Sequence, residues 1–154
     1  MKRPIAILAL VVSAAYGVAQ SASVAGAWRG VRTSPDGCVF SAEMTLETGP
    51  SCKMCAAVGS GSIRGVIVWT LRKAGAKADP GFAKGLGSSG TEYVTGEMSA
   101  DGLLTLRGYR KDDPLNLIDL DRYRLVLGEN GNVLGGLTAN HGAWTGQFIA
   151  MRSQ

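Results

Sequence analysis

Histidine is nearly absent from this chain, with His141 the single one in 154 residues. It lies in Asn140-His141-Gly142, where a solvated turn residue is the ordinary role. There is no GxSxG elbow, no HExxH zinc motif and no nucleophile beside a recognisable base. The expectation is therefore a protein without covalent chemistry of its own, not an enzyme. Haem attachment is excluded at Cys52-Lys53-Met54-Cys55, because Ala56 follows where His is required. The oxygen-rich stretch Asp112-Asp113-Pro114, with Asn116, Asp119 and Asp121, lacks the Gly and distal Glu of an EF-hand, and Lys111 opposes a cation there. No metal and no cofactor are expected.

Long apolar runs are equally scarce. The longest, Ile5 to Val12, follows Lys2 and Arg3 and precedes the small residues Gly17-Val18-Ala19. That order is a signal peptide over 1–19, cleaved after Ala19. The run is shorter than the roughly 20 apolar residues of a membrane span. The expected product is an exported, periplasmic or secreted domain over 20–154 with no stable membrane span. Without Lys2 and Arg3 the chain keeps 14 basic against 12 acidic residues, a net +2, too mild for nucleic acid.

Cysteines number three, and outside the cytoplasm thiols tend to pair. Cys38, Cys52 and Cys55 are the disulfide candidates, with a bridge from Cys38 to Cys52 or Cys55 the plain reading. A redox pair within the CxxC is the alternative, although Pro50 and Ser51 precede it and no helical pattern follows.

What the chain has in plenty is period-two alternation. Phe40, Ala42, Met44 and Leu46 alternate with Ser41, Glu43, Thr45 and Glu47. Ile63, Gly65, Ile67, Trp69 and Leu71 set one face of a longer strand. Further strands are expected over Trp28–Thr33, Glu92–Ser99, Leu103–Arg110, Leu120–Leu127, Asn132–Thr138 and Ala143–Arg152. Asp101-Gly102, Asn130-Gly131 and Pro35-Asp36-Gly37 supply the turns between them. Eight strands joined by hairpins remove their edges most economically by closing into an antiparallel up-and-down barrel, with a small sandwich as the main rival, so the expected fold is all-β. Ala74 to Gly90 has no apolar period and reads as a long loop, a candidate lid over one barrel end. Its Gly85-Leu86-Gly87-Ser88-Ser89-Gly90 matches a bare GxGxxG but opens no helix, so it carries no nucleotide-binding implication.

Gly26-Ala27-Trp28-Arg29-Gly30 near the front, with Arg152 at the end, resembles the lipocalin/calycin superfamily, as does Asp119-Leu120-Asp121-Arg122-Tyr123 before a late strand. That resemblance implies that Trp28 packs beneath Arg152 as a structural pair, a cation over an indole face. The order of the GxW start, Cys52-x-x-Cys55 and Arg107-Gly108-Tyr109 is similar to an uncharacterised family of small secreted bacterial proteins with GxW, CxxC and RGY motifs, departing from it over Asp112 to His141. Nitrobindin-like haem barrels also start with GxWxG and use a late histidine, but their other features are not apparent in this chain.

The functional expectation is a binding protein. Trp69, Tyr93, Tyr109, Trp144 and Phe148 are the candidates to line an apolar cavity for a small apolar ligand. The alternatives are an envelope protein-interaction or inhibitor module and a thiol redox protein using the CxxC.

Overall fold

The computed structural model describes residues 23–48, 63–140 and 143–154. The segment 1–19 expected to be a signal peptide, Cys52, Cys55 and His141 lie outside them. Eight strands form one closed barrel in chain order: β1 (Gly26–Thr33), β2 (Val39–Thr48), β3 (Ile63–Lys73), β4 (Ser89–Met98), β5 (Leu103–Asp112), β6 (Arg122–Leu127), β7 (Val133–Asn140) and β8 (Ala143–Arg152). Every neighbour is antiparallel, and β8 closes on β1 with Trp28 opposite Arg152. This is the all-β, eight-stranded up-and-down barrel that the alternation and turns implied. One short helix, α1 (Gly81–Lys84), interrupts the long β3–β4 loop. No helix among the described residues is long and apolar enough to cross a membrane.

The tight turns form as their dipeptides dictate. Gly102 and Gly131 take φ of 84° and 69°, left-handed values that cost glycine little, and each donates its N–H three residues back, to Ser99 and Gly128.

Alternate residues of every strand point inward and fill the barrel. Trp28, Phe40, Met44, Ile67, Trp69, Leu104, Leu125, Leu134 and Phe148 are all buried there. Phe40 and Tyr123 are linked edge-on through Trp69 and Phe148, with ring centroids 5.7–6.4 Å apart. Such T-shaped contacts add to the area buried.

The two barrel ends differ. At the end where β1 starts and β8 finishes, the Arg152 guanidinium lies 4.3 Å from the Trp28 ring. It donates to the carbonyls of Gly131, Ala25 and Ser23 at 3.0, 2.7 and 2.5 Å, and the Trp28 indole donates to Val24 O at 3.0 Å. At the opposite end, the β3–β4 and β5–β6 connections form a roof. Leu117 and Ile118 are buried in the core, with Ala78 and Phe82 packed partly buried against it. Lys111 draws the roof loop together by donating to Asn116 Oδ1 (2.8 Å) and Ile118 O (2.5 Å). Its ammonium sits 3.9 and 4.0 Å from Asp113 and Asp119, so a protein cation already stands between these two carboxylates.

Candidate functional site

Beneath the roof, the barrel interior changes from apolar to polar. Arg32, Glu92, Asp121 and Thr138 are buried, Glu92 at 0 % exposure. Strand alternation puts them there. Arg32 is in phase with Trp28 on β1, Glu92 with Val94 on β4, and Thr138 with Leu134 on β7, while Asp121 ends the roof loop. The Arg32 guanidinium pairs with Asp121 at 2.8 Å, donates through Nε to Thr138 Oγ1 at 3.2 Å and lies 5.9 Å from the Trp69 ring. Glu92 accepts from the Trp69 indole (3.0 Å), the Asp121 amide (2.9 Å) and the Tyr123 hydroxyl. Two glycines leave room for this layer: a Cβ at Gly108 would meet Glu92 Oε1 at 2.0 Å, and one at Gly146 would meet Thr138 Oγ1 at 2.1 Å.

Burial makes charge costly here. Desolvation, with a smaller push from Asp121, raises the Glu92 carboxyl from 4.5 to about 7 against the three hydrogen bonds that favour its charged form. Desolvation and the field of Glu92 push the Tyr123 phenol well above its usual value. Glu92 is thus a buried group of this layer placed to change charge near neutrality.

The structure divides the five aromatic candidates. Trp69 and Phe148 lie in the interior, 1 % and 3 % exposed. Tyr93, Tyr109 and Trp144 sit half-buried on the outer wall, which corrects their placement in a cavity. Arg110 stacks 3.8 Å from the Tyr93 ring, and Tyr93 and Tyr109 line a shallow outer groove with Thr45, Glu47 and Arg64. Trp144 faces outward because the β7–β8 register shifts between Thr138 and Ala139, reversing the side that alternation from Phe148 would give.

Cys38 forms no disulfide, correcting the bridge expected from it to Cys52 or Cys55. Its thiol receives the Gly75 N–H at 3.2 Å and donates to Asp36 at 3.4 Å. The free thiol is shut away at 1 % exposure, with Asp36 and the Gly75 backbone closing over it. Burial pushes the Cys38 thiol up, which leaves it a poor nucleophile.

Sequence reading missed Arg32, Glu92, Asp121, Tyr123 and Thr138. The signal was present for Glu92 and Arg32, charged residues in phase with the apolar face of a strand. Among the described residues, no group of His, Cys, Asp and Glu is arranged to hold a metal ion.

No family model matches the chain, and no curated protein matches it. Among solved structures it is similar to a redesigned beta barrel, mFAP0, solved bound to DFHBI. The TM-score is 0.52 at 13% identity, covering 84% of this chain and 98% of that one. At that identity the likeness is one of fold, and the fold is a closed eight-stranded antiparallel barrel.

Proposed function

We propose that this protein is an exported binding barrel that takes one small, mainly apolar ligand at its roofed end, between the Leu117, Ile118 and Phe82 cover and the Trp69 layer. The observation that carries this reading is the polar layer directly under a loop-built roof. A buried carboxyl raised to about 7 beside the buried Arg32–Asp121 ion pair is costly for a core that apolar residues could fill, and small-molecule sites combine apolar walls with a few such polar groups. Barrel mouths are favoured places for them. The fold likeness to a barrel solved with a small molecule supports the reading.

The roof side chains occupy the mouth, so binding requires the 74–88 and 113–121 loops to part. The ligand would then exchange roof contacts for its own, with its polar end against the Trp69–Glu92–Tyr123 hydrogen bonds. Titration with the uncharged dye N-phenyl-1-naphthylamine tests this. The expected result is saturable binding at one site per chain with a change in Trp69 emission. Linear, unsaturable partitioning would sink it.

Export is part of the same proposal. Cell fractionation with N-terminal sequencing is expected to find a mature chain beginning at Gln20 outside the cytoplasm. An unprocessed chain inside the cell would contradict export.

A further inference from the structure

The outer wall of the barrel is chemically lopsided. β2 carries Glu43 and Glu47, each ion-paired with an arginine, at 3.7 Å from Arg29 and 3.0 Å from Arg64. By contrast β6, β7 and β8 contain no Asp or Glu. On that acid-free side Arg107 of β5 stands directly opposite Arg122 of β6, an arrangement of like charges that is destabilising unless an anion joins them. Arg122 and Arg124 both lie over the Trp144 ring, at 5.5 and 4.6 Å. Neither they nor Arg107 pair with a carboxylate among the described residues.

Next to this basic row runs an apolar one. Across the register, Val126 of β6 faces Gly135 of β7, which faces Ile149 of β8, which faces Val31 of β1. Val126, Ile149 and Val31 are 56 %, 56 % and 44 % exposed, and Leu137 and Met151 extend the strip. Gly135 leaves a notch in its centre, since a Cβ there would meet nothing within 4 Å. The notch is part of a groove lined also by Val31, Leu137, Gln147 and Ile149. Contiguous exposed apolar surface of this kind marks interaction sites, and Trp and Arg are the residues that most often anchor protein interfaces.

We propose that the outer face of β6, β7 and β8 is a docking surface for a protein partner that presents carboxylates beside apolar side chains. The carboxylates meet Arg107, Arg122 and Arg124, and an apolar side chain fills the notch over Gly135. Charge complementarity selects this occupant. A second copy docked face to face through the same surface would oppose the arginines of one chain to those of the other. A lipid surface is flat, touches only a narrow line of a convex barrel wall, and makes no use of a side-chain-sized notch. This surface is independent of the ligand site under the roof.

The test uses the full mature chain and a random glutamate–tyrosine copolymer as the acidic, apolar probe. Polyglutamate, heparin and vesicles of phosphatidylcholine with phosphatidylglycerol serve as comparisons. Binding is read by anisotropy of labelled polymer and by Trp144 emission, since Trp28 and Trp69 are buried. Saturable copolymer binding tighter than polyglutamate is expected, weakened about tenfold by R122Q/R124Q and several-fold by I149S. All three substitutions are at exposed positions, and thermal melts confirm that the variants fold. W144F is expected to remove the emission change. Equal or tighter binding to heparin, with I149S neutral, would assign the face to polyanions and overturn the proposal. So would binding to vesicles alone, a concentration-dependent dimer abolished by I149S, or no saturable copolymer binding.

Discussion

The carboxylate of Glu92 fills the space that a side chain at position 108 would need, its Oε1 lying 2.0 Å from where a Cβ on Gly108 would stand. One strand therefore holds a glycine so that its neighbour can bury an acid. Gly108→Ala is expected to destabilise the barrel by about 1–3 kcal/mol, the range for forced overpacking, measured by urea denaturation. The loss should shrink in an E92A background, where the space is vacated. Additive effects of the two substitutions would show that the crowding is not between them.

Glu92 also makes stability depend on pH in a direction opposite to most carboxylates. Its folded value of about 7 exceeds the ordinary 4.5, so between those values the folded chain holds a proton that the unfolded chain has released. Stability contributed by this group thus falls as pH rises from 4.5 to 7 and stays lowest above that window. The span amounts to on the order of 3 kcal/mol. Unfolding free energies at pH 5 and pH 8 are expected to differ less in E92Q than in the parent. An equal difference in both would place the titrating group elsewhere.

At the other end of the barrel, Arg152 holds three backbone carbonyls and covers the Trp28 ring. R152M is expected to cost about 2–3 kcal/mol, from lost charge-assisted hydrogen bonds and carbonyls left short of donors. R152K keeps the cation but not the fork, and should recover only part of this. Thermal melts with Trp28 emission as the local reporter check both.

Cys38 should behave as a structural thiol. In a C52S/C55S background, a thiol reagent is expected to label it only as the chain unfolds, because burial raises its pKa. Fast labelling of the native protein would contradict the closed β1–β2 turn.

The barrel was legible because its cause is local. Alternation and turn dipeptides located all eight strands within a few residues, and Asp101-Gly102 and Asn130-Gly131 marked the hairpins they form. The aromatics divide into a legible pair, assigned to the cavity against their own pattern, and one that the pattern could not place. Tyr93 and Tyr109 are out of phase with Val94 and Leu106 on their own strands, so alternation already pointed them outward. Trp144 is in phase with Phe148, and only a register shift turns it out, which no single-strand pattern encodes. The buried polar layer was hidden differently: a charged residue is read as marking a solvent face, and its burial depends on partners such as Asp121 and Tyr123 about 30 residues away. The outer basic row depends likewise on which strand lies beside which.

The central claim is that a ligand enters under the roof and reaches the Trp69 layer. The three tryptophans report on three places: Trp28 at the end opposite the roof, Trp69 inside, and Trp144 outside. The most direct measurement is an NMR titration of their indole N–H signals with N-phenyl-1-naphthylamine. The account expects the Trp69 signal, bonded to Glu92, to shift saturably while Trp28 and Trp144 hold still. A shift confined to Trp144, with Trp69 unmoved, would place binding on the outer wall and contradict the interior site.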